Sequence, residues 1–134
     1  MTQSPDFVKW TAATEATGRA LKMAGISLED VDFAEIYDCF TISVLLQTED
    51  IGFCKKGEGG AFMEEGHNAL GGSLPVNTHG GNLSHGYVMG VSHVIEAVRQ
   101  LRHEAGAAQV GGAEIGLVGG MGLNEYGTLI LRRS

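Results

Sequence analysis

Two histidines and a tyrosine lie in a glycine-rich stretch, residues 76–90, with the sequence VNTHGGNLSHGYVMG. Its glycines, which include Gly80, Gly81 and Gly86, permit positive φ angles and let a ligand approach the backbone closely. A helix that begins after such a loop presents unpaired N–H groups and a partial positive charge. This combination suits an anion or an enolate oxygen. The pattern by itself leaves a binding site and ordinary turn chemistry equally open.

Two further residues of chemical interest follow a predicted strand. Residues 31–37 (VDFAEIY) alternate as a half-buried strand does, and a helix is predicted over residues 41–51. Tyr37 and Asp38 therefore lie at the carboxyl end of a strand, where α/β folds place ligand sites. From the residues alone we favour a structural interpretation, in which Asp38 caps the following helix and Tyr37 packs.

The sequence was also compared with common catalytic motifs. No G-x-S-x-G elbow, phosphate-binding loop lysine or dinucleotide fingerprint occurs. Cys39 could be a nucleophile near a helix start, but it lies beside Phe40 in an apolar segment, which favours an inert buried thiol. The histidines have no spacing typical of a metal site, and no metal is predicted. They are His67, His79, His85, His93 and His103.

The remaining pattern predicts the elements that position these residues. A first helix is expected to begin at Ser4-Pro5-Asp6 and to end at Gly25. Its small residues suit close packing against a partner helix. They are Ala13, Ala16, Thr17, Ala20 and Ala24.

The second and third helices are expected to pack through apolar faces. In the second, which Gly52 should end, the face comprises Val44, Leu45, Thr48 and Ile51. The third should end at Gly106. Its predicted apolar face comprises Val91, Val94, Ile95, Val98 and Leu101, and the opposite face comprises Glu96, Arg99, Arg102 and Glu104.

Residues 114–119 and 127–132 are predicted to be adjacent antiparallel strands, because the link between them is short. Residues 53–74 have no clear pattern, which predicts a long irregular loop (about 53–75) such as a lid or a binding loop. The order of elements indicates one α/β domain over residues 1–134, with a mixed β-sheet and helices on its faces.

Composition excludes several functions. A net charge of −7 argues against binding to nucleic-acid backbones. No apolar run is long enough to span a bilayer, and the first residues lack the apolar core of a signal peptide, so a cytoplasmic protein is expected. The two cysteines are too few for a disulfide framework and are expected to be free thiols.

Three segments occur in an order typical of one family: VDFAEIYDCF at 31–40, GHNALGGSLPVNTHGGNLSHGYVMG at 66–90 and GLVGGMGLNEYGTLIL at 116–131. Together they resemble the C-terminal half of a thiolase, in the subgroup of lipid-transfer-protein or sterol-carrier-protein-X thiolases. The resemblance implies a five-layered α/β/α/β/α arrangement of two similar halves, of which this chain would supply one.

The chain departs from the thiolase pattern at the catalytic positions. Tyr37 stands where this subgroup has the histidine of His-Asp-Cys-Phe, and Tyr87 stands where it has the histidine of Gly-His-Pro. The cysteine or histidine that acts as acid and base aligns with Gly119 or Gly120. Two tyrosines at these positions resemble the thiolase-fold aldolases of steroid side-chain degradation.

This resemblance implies retro-aldol cleavage of a β-hydroxyacyl-CoA, with no cofactor other than the coenzyme A thioester of the substrate. Tyr87 would handle the proton of the substrate hydroxyl and Tyr37 would act at the thioester side, or the two roles would be interchanged. The substrate-binding candidates are His79, His85, Gly81, Gly120, Met121 and Asn77.

The resemblance also implies partners. Thiolases carry the nucleophilic cysteine and most coenzyme A-binding loops in an N-terminal half, so we expect such a half or subunit and a homo- or hetero-oligomer. The steroid aldolases imply a zinc-ribbon and OB-fold acyl-CoA-binding partner. Two alternatives stay open: an acyl-transferring thiolase of lipid degradation, and a non-catalytic domain that binds lipid or protein.

Overall fold

The computed structural model describes residues 11–121 and 125–134. Within them the chain forms five α-helices and three β-strands. The helices are α1 (Ala13–Ala24), α2 (Thr41–Ile51), α3 (Gly59–Glu64), α4 (Gly81–Ser84) and α5 (Val91–Leu101). The strands are β1 (Phe33–Ile36), β2 (Ile115–Met121) and β3 (Tyr126–Arg132), and single 3₁₀ turns lie at Leu28–Asp30 and Gly106–Ala108.

The strands form one mixed sheet in the order β1-β2-β3. β1 runs parallel to β2, and β2 runs antiparallel to β3. A parallel bridge between Ala34 and Val76 covers part of the outer edge of β1. The predicted mixed sheet and its adjacent antiparallel strands are thus confirmed.

Helices cover both faces of the sheet. On one face, Ala34 and Leu117 pack with Ala13 of α1 and Ile51 of α2. On the other face, Phe33 and Val118 pack with residues of α5, including Ala97 and Leu101. Because successive strand side chains point to opposite faces, a single pair of strands serves both clusters. The α/β class predicted from the sequence is confirmed.

The prediction that β1 is half buried was wrong. All its residues are buried, including Glu35, which is fully inaccessible to solvent. The strand lies between β2 and the bridge to Val76, and helices cover both its faces, so neither set of alternating side chains reaches water.

The predicted helix ends are confirmed at two of three positions. Gly25 and Gly52 end α1 and α2 in the left-handed conformation that glycine adopts readily. α5 instead ends at Leu101, before the predicted Gly106, because His103 turns the chain with a φ of 59°. The predicted start at Ser4-Pro5-Asp6 lies outside the described residues.

The small residues of α1 pack mainly against a strand, not against another helix. The Thr17 hydroxyl lies 3.1 Å from the Thr128 hydroxyl of β3. Ala13, Ala16 and Thr17 are buried, whereas Ala24 is exposed. The small side chains let the helix approach the sheet closely.

The predicted packing faces of α2 and α5 were largely wrong. In α2, Thr48 and Ile51 are buried as expected, but Val44 and Leu45 are only half buried. In α5, most of the predicted apolar face is exposed. The buried residues of α2 are Ser43, Leu46, Gln47, Thr48, Asp50 and Ile51, and those of α5 are Ser92, His93, Glu96, Ala97, Gln100 and Leu101.

The segment at 53–74 is more ordered than predicted. It contains α3, and Phe62 of that helix packs against the core. Its loop closes on itself, since the Leu74 N–H donates to the His67 carbonyl and His67 Nδ1 lies 2.8 Å from the Ser73 hydroxyl. Internal hydrogen bonds therefore replace regular structure here. Among the described residues, no helix is long and apolar enough to cross a membrane.

Candidate active site

The two tyrosines singled out by their motifs meet in the structure. Tyr37 follows β1 and Tyr87 lies between α4 and α5, yet their hydroxyl oxygens are 3.2 Å apart, with Tyr37 as donor. The hydrogen bond to Tyr87, together with burial, raises the pKa of Tyr37 to about 12. Tyr37 therefore keeps its proton at neutral pH and acts as a hydrogen-bond donor, while Tyr87 is 63% exposed and accessible to a ligand.

A cleft of about 420 Å³ opens beside Tyr37. Gly120 and Met121 at the end of β2 line it, as do Gly90 and Val94 at the start of α5. Gly90 has a φ of 79°, and a Cβ atom there would lie 3.1 Å from the Tyr37 ring. The backbone at Gly90 thus forms the wall against which the ring rests.

Gly119 and Gly120 differ in what a side chain would meet. A Cβ atom on Gly119 would overlap the Tyr126 hydroxyl, whereas one on Gly120 would come no closer than 3.9 Å to the Gly127 carbonyl oxygen. Gly120 shares its face of β2 with Val118, the face toward α5. Of the two positions that align with the acid/base of thiolases, Gly120 is thus the one with open space beside it.

Tyr126 and Gln47 support the site from the opposite face, and sequence patterns did not identify either residue. The Tyr126 hydroxyl donates to Gln47 Oε1 over 3.0 Å, and Gln47 Nε2 donates to the Tyr37 carbonyl over 2.8 Å. Burial, with Asp50, raises the pKa of Tyr126. Gln47 lay outside the predicted apolar face of its helix, because a polar side chain carries no periodic signal for burial.

Asp38 occupies the start of helix α4. Its Oδ1 accepts a hydrogen bond from the Asn82 N–H over 2.8 Å, and its Oδ2 accepts one from the Leu83 N–H over 3.1 Å. A Cβ atom on Gly81 would overlap this carboxylate. The anion that the glycine-rich loop holds is therefore the protein's own Asp38 side chain.

The predicted capping of the next helix by Asp38 was wrong. At the start of α2, Ser43 Oγ instead accepts from the Phe40 N–H over 3.1 Å. The turn between Asp38 and α2 directs the carboxylate across to α4, where the Asn82 and Leu83 N–H groups donate to it.

Three histidines gather beneath the glycine-rich stretch. The His79 ring centroid lies 5.4 Å from that of His85 and 5.1 Å from that of His93. His93, which the sequence did not single out, lies 2.9 Å from Asp38 through its Nε2 atom, and its ring centroid is 6.1 Å from that of Tyr37. His79 and His85 thus connect to Tyr37 through His93, and direct contact of either histidine with substrate stays a prediction.

A buried carboxylate controls the charge of His79. Its Nδ1 lies 3.0 Å from Glu35 Oε2. Burial opposes the charged form, but Glu35, with contributions from Glu96 and Asp38, raises the pKa of His79 above its ordinary value. The pair is a close ionic contact and not an aligned hydrogen bond.

Asn77 holds the end of β1. Its Oδ1 accepts from the Ile36 N–H over 2.7 Å and its Nδ2 donates to the Ile36 carbonyl over 2.8 Å. The side chain thus continues the pairing of the strand up to Tyr37. Direct contact of Asn77 or Gly81 with substrate stays a prediction.

The described part of the chain contains no cluster of metal-ligating side chains, and Cys39 is a free thiol. No three His, Cys, Asp or Glu side chains there form a group that could hold a metal ion. Cys39 is half buried, and its thiol donates to Ser43 Oγ over 3.5 Å.

Comparison with known proteins gives this geometry a context. The family described as thiolase C-terminal domain-like matches residues 1–133. An acetyl-CoA acetyltransferase of Methanothermobacter thermautotrophicus is 42% identical over 123 residues, 87% of this chain and 32% of that protein. A 17-hydroxy-3-oxo-4-pregnene-20-carboxyl-CoA lyase of Mycobacterium tuberculosis is 39% identical over 114 residues, 84% of this chain and 30% of that protein.

A solved structure agrees with these relatives. The Ltp2-ChsH2(DUF35) aldolase matches with a TM-score of 0.85 and 36% identity, covering 90% of this chain and 31% of that one. The chain spans less than a third of the length of each of these three relatives. Because the family match extends over nearly the whole chain, the protein belongs to the thiolase C-terminal domain-like family.

Proposed function

We propose that this chain supplies the C-terminal half of a thiolase-fold enzyme that cleaves a carbon–carbon bond of a β-hydroxyacyl-CoA, such as a steroid side chain, by a retro-aldol reaction. The observation that carries the proposal is the hydrogen-bonded pair of Tyr37 and Tyr87 beside an open cleft. The similarity to a carboxyl-CoA lyase and to an aldolase supports the same chemistry.

The proposed reaction needs proton transfer but no covalent nucleophile. The β-hydroxyl loses its proton, the Cα–Cβ electron pair moves toward the thioester, and a ketone leaves from a thioester enolate. Protonation of the enolate at Cα then gives the shortened acyl-CoA, so the atoms balance without another reactant. An acid, a base and hydrogen-bond donors near the thioester oxygen are sufficient for this chemistry.

The roles of the tyrosines follow from their hydrogen bond. The Tyr87 oxygen accepts from Tyr37 and is exposed, so it takes the proton of the β-hydroxyl. The donated hydrogen bond stabilises the phenolate form of Tyr87, which is the form that can accept this proton; the transfer leaves Tyr87 neutral and moves the negative charge to the substrate oxygen. Tyr37, whose pKa is raised to about 12, stays protonated and acts as a hydrogen-bond donor at the thioester side. The backbone at Gly120 and Met121 lines the cleft where the thioester oxygen would lie. No cofactor beyond the coenzyme A thioester is proposed.

The proposal includes a thiolase-like N-terminal half, present in the same chain or in a separate one. Its docking surface is the apolar side of α5 with the adjoining loop and strand. Val91 is 56%, Ile95 is 55% and Val98 is 38% exposed. The same patch contains Val88, Met89 and Leu129, all at least 49% exposed. These exposed apolar side chains support the proposed interface, because contiguous apolar surface commonly marks a protein–protein contact.

A second partner is proposed from the similar solved structure. The name of the similar aldolase structure contains a second component, ChsH2(DUF35). This supports the expected acyl-CoA-binding partner of the zinc-ribbon and OB-fold type for this chain. The cytoplasmic location stays a prediction.

The proposal is tested by supplying a β-hydroxyacyl-CoA to the chain together with a thiolase-like N-terminal half and measuring the released ketone. Tyr87→Phe and Tyr37→Phe are expected to lower kcat/KM by about 100-fold or more, since each removes a hydroxyl from proton transfer. Tyr126→Phe is the matched control and should cost about tenfold at most, because its hydroxyl bonds Gln47 on the opposite face. Wild-type rates in both site variants would rule out the assignment.

The acetyl-CoA acetyltransferase relative favours one competing function, acyl transfer by a thiolase with an unusual acid and base. The same preparation would then form acetyl-CoA from a 3-ketoacyl-CoA and free coenzyme A. In that case Gly120→Cys, which extends a thiol into open space, should increase transfer. If the preparation releases no ketone and transfers no acyl group, the remaining function is that of a non-catalytic domain that binds lipid or protein.

A further inference from the structure

The loop that carries Tyr87 and the strand end that carries Tyr37 share one buried anchor. Asp38 follows Tyr37 directly in the chain, and only 3% of its surface is exposed. Its carboxylate accepts the Asn82 and Leu83 N–H groups and contacts His93. One side chain thus joins the end of β1, the start of α4 and the first turn of α5.

This anchor reaches Tyr87 through a short, hydrogen-bonded path. The His85 and Gly86 N–H groups both donate to the Gly81 carbonyl, over 3.1 and 3.4 Å. The turn that bears Tyr87 is therefore tied to the residue that packs against the Asp38 carboxylate. A Cβ atom on Gly81 would overlap that carboxylate, so the contact depends on glycine.

The anchor also fixes the wall behind Tyr37. With its proton on Nε2, His93 donates to Asp38 Oδ1 over 2.9 Å, and its ring lies tilted against the Tyr37 ring. The Tyr37 N–H donates to the Gly119 carbonyl over 2.9 Å, which holds its main chain to β2. Both tyrosines are thus set relative to one carboxylate.

We propose that Asp38 is the positioning residue of the tyrosine pair, because its contacts with α4 and His93 set the separation of the Tyr37 and Tyr87 hydroxyls. The inference rests on the proposed function for its catalytic meaning. Its structural content, however, can be measured without turnover. Asp38 touches no reacting atom and acts only through the two tyrosines.

The test is Asp38→Asn in the full chain with its partner half, read by ¹³C NMR of tyrosine labelled at Cζ. The chain has only three tyrosines, and Tyr37→Phe assigns the signal. At pH 11 a Tyr37 with a pKa of about 12 is about one-tenth ionised, whereas one with the ordinary value of about 10 is about nine-tenths ionised. Asp38→Asn should raise the ionised fraction of Tyr37 from the first value toward the second, because the hydroxyl pair separates; the loss of the Asp38 charge adds to this rise. His93→Leu keeps that charge, so a rise in this variant reports on the positions of the hydroxyls.

Asp50→Asn is the matched control. Asp50 is another buried carboxylate, which accepts from the Thr11 N–H over 2.6 Å and from Lys56 Nζ over 2.7 Å. Its loss should lower stability and leave the ionisation of Tyr37 unchanged. If Asp38→Asn does not fold, His93→Leu is measured instead. It removes the hydrogen bond from His93 to Asp38 and should give a smaller rise in the ionised fraction of Tyr37.

Two results would overturn the proposal. The first is an unchanged ionised fraction of Tyr37 at pH 11 in the folded variant that is measured, and the second is an equal rise of that fraction in Asp50→Asn. In the aldolase assay, Asp38→Asn should lower kcat by tenfold or more with KM within about threefold, since substrate contacts remain. Absence of ketone from the wild type, with the expected NMR change, would reject the proposed function and retain the positioning role.

Discussion

The two sides of helix α5 contrast sharply. The side that faces the sheet is buried and largely polar, with His93 at 1%, Glu96 at 2% and Gln100 at 0% exposure. The other side is apolar and exposed, with Val91 and Ile95 each more than half accessible. A helix of a single globular domain normally shows the reverse arrangement.

Hydrogen bonds account for the buried polar side. Gln100 Nε2 donates to the Ala108 carbonyl and the Thr78 hydroxyl, and its Oε1 accepts from the Val110 N–H. Glu96 pairs with Arg99, whose guanidinium reaches the surface. Gln100 and Glu96 are paired in this way and can be buried at little cost, whereas Ser92 Oγ and His93 Nδ1 on the same side have no hydrogen-bond partner among the described residues. No described residue covers the apolar side, so we propose that it binds the thiolase-like N-terminal half.

The largest effect, a loss of stability, is expected from a substitution on the buried side of α5. Gln100→Leu leaves a carbonyl and an N–H buried without partners, and should lower the free energy of unfolding by about 3 kcal/mol. Urea unfolding of the chain measures this. Ile95→Gln on the opposite side of the same helix is the control, and should stay within about 0.5 kcal/mol of wild type. Equal stability of the two variants would remove the contrast between the two sides.

An intermediate effect is expected on the exposed side. Ile95→Asp should weaken association with a thiolase-like N-terminal half by about tenfold or more, because it buries a charge at the interface. Calorimetric titration measures the affinity. Met23→Asp is matched, since Met23 is an exposed apolar residue of α1 at 89% accessibility. If Met23→Asp weakens binding and Ile95→Asp does not, the docking surface lies on α1 and not on α5.

The smallest effect concerns the charge beneath α5. The pKa of His79 is raised in the folded chain, since Glu35, Glu96 and Asp38 outweigh burial. Its protonation therefore contributes stability that is fully present below the unfolded pKa of about 6.5 and is lost as pH rises through the folded value. Urea unfolding of wild type and His79→Gln across this range should show their difference shrinking as pH rises. The pH dependence of this stability difference should be weaker when Glu35→Gln is also present. A stability difference that grows as pH rises would contradict the raised pKa of His79.

Sequence reasoning was most successful where a signal is local. The glycines at 25 and 52 ended their helices as predicted, because a left-handed residue at that position is a property of a few consecutive residues. The motifs around Tyr37 and Tyr87 identified both residues, although the two lie 50 positions apart in the chain. Their juxtaposition was an expectation of the family resemblance and not of residue spacing.

The failures share one physical cause. Periodicity assigns apolar residues to the core, but Gln47, Glu96 and Gln100 are buried with hydrogen bonds to atoms of other segments, at Tyr37, Thr78 and Val110 respectively. Those atoms belong to segments whose proximity no local pattern encodes. The same limit explains why Asp38 was expected to cap α2, the next helix in the chain, when it caps α4 in space.

The sequence by itself indicated the mixed sheet, the three longer helices and the family, and it pointed to the two tyrosines as site residues, because each depends on local patterns or on recognisable motifs. Only the tertiary structure decided which side of each helix is buried, which glycine has open space beside it, and that the glycine-rich loop holds the carboxylate of Asp38. These outcomes depend on which polar atoms meet across the fold, and that pairing exists only once the chain has packed.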